Sequence, residues 1–224
     1  MKAHVASSSA GDVMPANRWR LPPTRKGQET RERIVSSAAA LMFRNGVEGT
    51  TLDEVTESAH VGKSQIYHYF DDKAALVAAV VEYQATQVLD AGGPQTMTLD
   101  SWAAWDAWRE AVVTSYAASG CVGGCPIGSL SGELADRDED SRVRLAAAFE
   151  RWQRGFEHGL ASMREAGALR ADADVPTLAT CVLASLEGGL LLSQVTKSEH
   201  ALRTALDGAI ALLRSWSPEE YSRP

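Results

Sequence analysis

The chain has little of several features that define particular protein classes. Its 224 residues include only three cysteines, an odd number, which excludes a dense disulfide framework and favours a reducing compartment. Residues 1–20 lack the apolar core of a secretory signal, and Glu187 and two glycines interrupt the apolar stretch 178–192, which argues against a membrane span. The sequence contains no alternating β pattern of useful length and no internal repeat. We therefore expect a cytoplasmic, all-α protein without a membrane partner.

The net charge of -7 argues at first against a nucleic-acid partner, but the charge is unevenly distributed. Residues 1–83 carry ten basic and ten acidic side chains, so residues 84–224 account for the whole acidic excess. Within residues 18–33, six basic groups face two acidic ones, a local net charge of +4. A basic arm that leads into a helix can hold phosphates, although a solvated tail without a partner would explain the same charges.

The spacing of apolar side chains predicts an all-α fold of about nine helices in two domains. The predicted segments are a flexible basic arm (residues 1–24), a helix-turn-helix domain (25–84), a second helical domain (85–217) and a tail (218–224).

Two short helices joined by a tight turn are predicted in the first domain. Thr51-Leu-Asp-Glu54 has the pattern of a capping box, His60-Val-Gly62 forms the turn, and the second helix begins at Lys63. This is the helix-turn-helix arrangement, in which the amino-terminal side chains of the second helix enter the major groove of double-stranded DNA. The residues predicted to contact DNA are Arg25, Thr50, Thr51, Lys63, Ser64, Gln65, Tyr67, His68 and Lys73.

The same segment resembles the TetR family of bacterial transcriptional regulators. AHVGKSQIYHYFDDKAAL (residues 59–76) is similar to that family's turn, recognition helix and closing Tyr-His-Tyr-Phe…Lys, and residues 30–55 match its first two helices. The resemblance implies an operator-binding regulator, with repression as the expected action. His60 replaces the family's usual glycine, and Gly62-Lys-Ser-Gln65 differs from the commoner Ser-Lys-Gly-Thr, so the operator sequence cannot be transferred from relatives.

The carboxyl-terminal part resembles the LmrA/YxaF-like regulators through two motifs, GGCPIGSLSGELAD (residues 123–136) and LASLEGGLLLSQ (residues 183–194). This resemblance implies that residues 85–217 are a ligand-binding and dimerisation domain, which forms a homodimer through its last two helices and holds a small molecule. The predicted dimer-interface residues are Leu183, Leu186, Gly189, Leu190, Leu202, Leu206, Ile210 and Leu213. Ordinary packing within one chain is the alternative explanation for these apolar side chains.

Aromatic residues are concentrated on two predicted helices of the second domain. Three of the six tryptophans recur at helical spacing on one helix, and a second apolar stripe follows on the long helix after Asp140. Such faces either pack as a core or line a cavity for a small hydrophobic or aromatic effector. The residues predicted to line a cavity are Trp102, Trp105, Trp108, Tyr116, Cys121, Phe149, Trp152 and Phe156.

Two other functions are consistent with the sequence. Cys121 and Cys125 could form a thiol sensor within a DNA-binding regulator, whereas their spacing does not favour a metal site. The alternative from another class is a helical small-molecule-binding protein or enzyme whose amino-terminal helices only pack. Catalysis is not favoured, because the sequence shows no Ser/His/Asp or paired-carboxylate arrangement, and no cofactor is predicted.

Overall fold

The computed structural model describes residues 22–90 and 98–218, which form nine α-helices and no β-strand. The helices are α1 (Arg25–Asn45), α2 (Leu52–Ser58), α3 (Lys63–Tyr69), α4 (Lys73–Asp90), α5 (Trp102–Ala118), α6 (Pro126–Leu134), α7 (Glu139–Glu165), α8 (Val175–Thr196) and α9 (His200–Arg214). The all-α prediction is confirmed. The predicted basic arm and the predicted tail lie almost entirely outside the described residues.

Side-chain caps determine where several helices begin. Thr24 caps α1, Ser101 caps α5, Asp138 caps α7 and Asp174 caps α8, each by accepting a hydrogen bond from the backbone N–H three residues later. These short oxygen-bearing side chains satisfy amide donors that have no partner within the helix. The helix starts are therefore encoded locally.

Helix α1 packs on α4 and on α2, and α2 packs on α3, around a small apolar core. Val55 of α2, Ile66 of α3 and Leu76 of α4 are buried, as are Ile34 and Ala38 of α1. Because α2 and α3 are only seven residues each, their positions depend on this packing and not on helix propensity alone.

Helix α4 is continuous from Lys73 to Asp90 and crosses the predicted domain boundary at residue 84. It contacts α1 in the first domain and α6 and α7 in the second. Apolar side chains remain buried beyond the polar Gln84, since Ala85 and Leu89 are both in the core. The two domains thus share one helix.

The residues predicted for the dimer interface are already buried within one chain. Leu183, Leu186, Leu190, Leu202, Leu206, Ile210 and Leu213 are all at most 9% exposed within a single chain. A Cβ atom on Gly189 would lie 2.9 Å from the Cα atom of Leu202, so this glycine allows α8 and α9 to pack closely. These residues form the intramolecular packing of α8 on α9, which was the alternative explanation. Because α8 is apolar around most of its circumference, residue spacing could not distinguish its inner face from its outer one.

Within the described ranges, α8 is the one helix that is long and apolar enough to cross a membrane, with a mean hydropathy of 1.6. It packs against α7 and α9, as the core helix of a folded domain does. Its length and composition are therefore weak evidence for a membrane span.

Candidate DNA-binding surface and ligand cavity

Helix α3 presents a polar surface to solvent above an apolar base. Ile66 is buried beneath the helix, as is Phe70 directly after it. The exposed residues are Lys63, Ser64, Gln65, Tyr67 and His68. Tyr67 is the large aromatic residue on this surface, and half of its surface is exposed to solvent. The structure thus brings five of the nine predicted DNA-contacting residues together on one short helix.

Two of these side chains are held in place by neighbouring groups. The Gln65 Oε1 atom accepts a hydrogen bond from the Gly62 N–H at 3.0 Å, and the Lys63 Nζ atom lies 2.8 Å from the Asp53 Oδ1 atom. The hydrogen bond to Asp53 and its charge raise the pKa of Lys63. Because the cap uses only the Gln65 carbonyl oxygen, its amide nitrogen is not required by the helix.

The turn between α2 and α3 is fixed against α1. His60 adopts a left-handed backbone with φ of 51°, the conformation in which the resembled family usually carries glycine. The Arg33 Nε atom of α1 donates a hydrogen bond to the Ala59 carbonyl at 2.9 Å, immediately before the turn. The orientation of α3 is therefore coupled to α1.

The prediction that Thr50 and Thr51 offer donors to a phosphate is not supported by their contacts. Thr50 is 1% exposed, and its hydroxyl donates to the Gly46 carbonyl at 2.8 Å. The Thr51 N–H and hydroxyl both donate to the Glu54 carboxylate, at 2.7 and 2.8 Å, and these bonds lower the pKa of Glu54. The hydroxyl groups of both threonines and the N–H of Thr51 therefore already donate hydrogen bonds within the chain.

The remaining two predicted DNA contacts lie at helix amino ends. Arg25 begins α1, is highly exposed and pairs with Glu29 at 2.8 Å. Lys73 begins α4 and interacts electrostatically with Glu54. Side chains cap both helix starts, because Thr24 accepts from the Gly27 N–H and Asp72 accepts from the Ala75 N–H, so the charged side chains are the groups that remain available to a phosphate.

Three of the predicted cavity residues form an aromatic cluster. Trp105 and Trp108 of α5 and Phe156 of α7 are buried, with ring centroids 5.2–5.8 Å apart. The rings contact one another in edge-to-face and stacked arrangements, as in a packed core. Core packing, the alternative to a cavity wall, is therefore the role that these contacts support.

The other predicted cavity residues are distributed around this cluster. Tyr116 donates a long hydrogen bond of 3.4 Å to the Leu190 carbonyl, and Cys121 is buried. Trp152 is buried, whereas Trp102 and Phe149 are partly exposed and pack against the core. A ligand-binding role for these five residues stays a prediction.

A cavity of about 430 Å³ lies elsewhere, between α6 and α8. Its lining residues are Cys125, Gly128, Ser129, Gly132, Glu187, Gly188, Leu191 and Gln194. All of them fall within the two motifs on which the LmrA/YxaF-like resemblance rests. The sequence indicated a possible function only for Cys125 among these residues, because glycines do not contribute to the hydrophobic periodicity. The one indication in the sequence was the pair of glycines at positions 128 and 132, which lie one helical turn apart and leave that face of the helix without side chains.

The thiol of Cys125 has a structural role in this cavity. It caps α6 by accepting a hydrogen bond from the Gly128 N–H at 3.4 Å, and burial with the nearby Glu187 carboxyl raises its pKa. A high thiol pKa disfavours the thiolate, the reactive form. In the part of the chain that the structure describes, no group of three or more His, Cys, Asp or Glu residues could hold a metal ion.

Comparison with known proteins assigns both domains. Residues 34–80 match the family described as bacterial regulatory proteins, tetR family, and residues 102–207 match the carboxyl-terminal domain of LmrA/YxaF-like transcriptional regulators. An HTH-type transcriptional regulator of Mycobacterium tuberculosis is 30% identical over 186 residues, which cover 76% of this chain and 87% of the relative.

Two further comparisons agree with this assignment. The HTH-type transcriptional repressor DhaR of Mycobacterium sp. strain GP1 is 25% identical over 180 residues, covering 77% of this chain and 86% of DhaR. The crystal structure of a TetR-family regulator from Cytophaga hutchinsonii matches the fold with a TM-score of 0.75 at 24% identity, covering 88% of this chain and all of that one. The chain therefore belongs to the TetR family of HTH-type transcriptional regulators, which are DNA-binding proteins and not enzymes, and its second domain is of the LmrA/YxaF-like type.

Proposed function

We propose that this regulator is a cytoplasmic homodimeric repressor that binds a pseudo-palindromic operator through α3 and is released by a small molecule bound in its second domain. The observation that carries the proposal is the exposed polar surface of α3, held on a buried base of Ile66 and Phe70. A helix of this kind can enter the major groove while its apolar side keeps it attached to the domain.

The chemistry of the α3 side chains suits a DNA duplex. Lys63 can bind a phosphate or a guanine edge, and Gln65 can pair with the edge of adenine. Tyr67 and His68 lie one turn further along the helix, where a phosphate or a thymine methyl group is within reach. The acidic excess of residues 84–224 implies that the second domain contributes little to non-specific DNA binding, so recognition depends on α3.

The outer face of α8 supports a homodimer. Leu192 and Val195 are large apolar residues, three positions apart on α8, that remain exposed in one chain. A neighbouring set of such residues is the kind of surface that a partner covers. We assign the partner as a second copy of this chain, because two recognition helices related by a two-fold axis match a pseudo-palindromic operator.

Release by a ligand requires the two domains to communicate. Helix α6, which lines the cavity, also carries Glu133, whose carboxylate accepts a hydrogen bond from the Val47 N–H of the first domain at 2.7 Å. A ligand weakens operator binding only if it binds the DNA-incompetent state more tightly than the competent one. Because α6 both lines the cavity and holds Val47, a ligand in the cavity can change the position of the first domain and therefore of α3.

The structure gives less support to a thiol switch. The pKa of Cys125 is raised by burial, and Cys121 is buried as well. Both features oppose rapid reaction with an oxidant. We therefore retain a reversible small-molecule effector in the proposal.

The test is operator binding measured by fluorescence anisotropy with the DNA upstream of the chain's own reading frame. Lys63→Ala and Tyr67→Ala should each weaken binding by about tenfold or more, because each removes a contact to the duplex. Arg142→Ala is the matched control, since it also removes an exposed, ion-paired cation but lies on α7. Its affinity should equal that of the wild type.

Gln65 requires two variants, because it both caps α3 and faces the duplex. Gln65→Glu keeps an oxygen that can accept from the Gly62 N–H but removes the amide donor. We expect Gln65→Glu to fold normally and to lose specific operator binding, whereas Gln65→Ala should also lose stability. Unchanged operator affinity in Lys63→Ala, Gln65→Glu and Tyr67→Ala together would refute the role of α3.

A further inference from the structure

The cavity between α6 and α8 contains one acidic group and a wall with few side chains. Glu187 extends from α8 toward α6, where a Cβ atom on Gly128 would lie 2.5 Å from the Glu187 Oε2 atom. The missing side chain at Gly128 therefore makes room for the carboxyl group. A Cβ atom on Gly132 or Gly188 would meet no atom within 4 Å, so both positions leave open space.

The Glu187 carboxyl group is only partly satisfied. The Cys125 thiol hydrogen-bonds to it, while the Oε1 atom is buried and has no hydrogen-bond partner among the residues described. Burial raises the pKa of Glu187. A buried acceptor without a partner destabilises the folded chain, and such a group in a native protein is a reason to look for a functional role or a bound species that completes it.

The surroundings of Glu187 favour a cation. The described residues that line the cavity include no lysine, arginine or histidine, and the rest of the lining consists of glycines, Ser129, Leu191, Gln194 and Cys125. A positive group with N–H donors would satisfy the buried Oε1 atom and neutralise the carboxylate. An anion would be repelled, and a purely apolar molecule would leave the Oε1 atom without a partner.

We propose that this cavity binds an organic amine, a protonated nitrogen on an apolar skeleton, through an ion pair with Glu187. The apolar part of the ligand would occupy the space beside Gly132, Gly188 and Leu191. The inference narrows the class of effector in the proposed function, and its description as an effector site rests on that function. The proposed ligand differs in charge and in position from the small hydrophobic or aromatic effector, lined by the tryptophans, that the sequence predicts.

The experiment compares three probes that share one apolar tail and differ in their head group. The probes are 4-phenylbutylamine, 4-phenylbutan-1-ol and 4-phenylbutyrate, each titrated calorimetrically into the full-length chain at neutral pH. The amine should bind about tenfold more tightly than the alcohol, and the acid more weakly than the alcohol, because only the amine can form an ion pair with Glu187. Equal affinity of amine and alcohol, or no binding of the amine, would overturn the proposal.

Two variants locate the site. Glu187→Gln should lower the affinity for the amine by about tenfold and leave the affinity for the alcohol almost unchanged, since it removes the charge but keeps the shape. Gly132→Leu should weaken the binding of both, because the new side chain enters the cavity. Ala111→Leu, the same kind of enlargement on the exposed face of α5, should affect neither. Amine binding that is insensitive to both Glu187→Gln and Gly132→Leu would place the amine elsewhere and refute the assignment.

The wild-type comparison of the three probes depends on no variant, so it decides the question even if Glu187→Gln folds poorly. Operator binding by the wild-type chain, measured without any probe, tests the proposed function separately. A chain that binds the operator but not the amine would refute this inference alone. A chain that binds the amine at Glu187 but no operator would refute the proposed function alone.

Discussion

At the scale of single residues, His60 and Glu187 both occupy positions that conflict with their chemical preferences. His60 has a left-handed backbone, and the buried Glu187 has an oxygen without a partner among the described residues. Such conflicts persist where the surrounding structure requires them, and they are common near functional sites. Here they lie in the turn before the recognition helix and in the cavity of the second domain.

His60→Gly should stabilise the chain. Glycine adopts a positive φ without the steric cost that a side chain imposes, which is worth about 1 kcal/mol at such a position. In a chain of this size that corresponds to a rise of roughly 2–4 °C in melting temperature. His60→Ala is the control, because it keeps the Cβ atom and should give no rise. A calorimetric scan in which the glycine variant melts below the wild type would contradict the account of the turn.

The stability of Glu187→Gln relative to the wild type should depend on pH. A carboxyl whose pKa is raised by folding destabilises the native state once the pH exceeds its unfolded pKa of about 4.3. The two chains should therefore melt at similar temperatures at pH 4, and the glutamine variant should melt a few degrees higher at pH 8.

Glu139→Gln provides the opposite control. The Arg142 hydrogen bond and charge lower the pKa of Glu139, so that carboxylate stabilises the folded chain above its unfolded pKa. This variant should melt slightly below the wild type at pH 8. A wild-type chain that gains stability relative to Glu187→Gln as pH rises would show that the burial of Glu187 has been misjudged.

At the scale of helices, the sequence predicts helix starts and turns, which depend on adjacent residues. It does not predict helix orientation or cavities, which depend on contacts between distant residues. The capping box of Thr51 and Glu54 and the turn before Lys63 were predictable, because their signals span only a few adjacent residues. The orientation of α8 was not, because an apolar surface on all sides fits either face equally well. The cavity was missed because it is formed by missing side chains on α6, and an absence leaves no periodic signal.

Helix α6 joins the two domains through contacts that no sequence pattern announced. Glu133 accepts from the Val47 N–H at 2.7 Å, and Arg137 pairs with Glu48 at 2.7 Å. A Cβ atom on Gly123, just before α6, would lie 2.3 Å from the Phe43 ring of α1. These contacts lie between residues about 80–90 positions apart in the chain, so only the fold brings them together.

Glu133→Ala should loosen this connection. The Val47 N–H loses its acceptor, and an unsatisfied amide of this kind costs about 1–3 kcal/mol. Hydrogen exchange of the Val47 amide should accelerate by about tenfold or more in Glu133→Ala. Arg137→Ala removes only an exposed ion pair and should leave that exchange rate nearly unchanged. Equal exchange in both variants and the wild type would mean that Glu133 does not hold the first domain.

At the scale of the whole molecule, the net charge of -7 conceals two parts with different roles. The amino-terminal 83 residues are neutral overall and carry α3, whereas the acidic remainder carries the cavity and the exposed apolar surface of α8. The proposed homodimer rests on that exposed surface, because the leucines that the family resemblance assigned to the interface are buried within one chain.

Val195→Asp should convert the proposed dimer to a monomer. Val195 is 75% exposed on α8, and a carboxylate there would have to be buried against a second copy without a partner. Light scattering coupled to gel filtration should show one chain per particle, and operator affinity should fall by about tenfold or more because the two half-sites are no longer bound together. Val122→Asp is the control, because it makes the same substitution at an exposed position in the loop before α6. This variant should remain dimeric. A monomeric wild type, or a dimeric Val195→Asp, would refute the assigned interface.

The length of α4 sets the scale of any movement between the two domains. Its 18 residues span about 27 Å at 1.5 Å per residue, from Lys73 beside the recognition helix to Asp90 within the second domain. Glu82, halfway along, lies 3.7 Å from Arg144 and 3.5 Å from Arg151 of α7, so these ion pairs attach the middle of α4 to the second domain. A tilt of about 10° at its far end would carry Lys73 by about 5 Å, more than the rise of one base pair, which is about 3.4 Å. A small rotation of α4 would thus displace α3 by more than one base-pair step along a bound duplex.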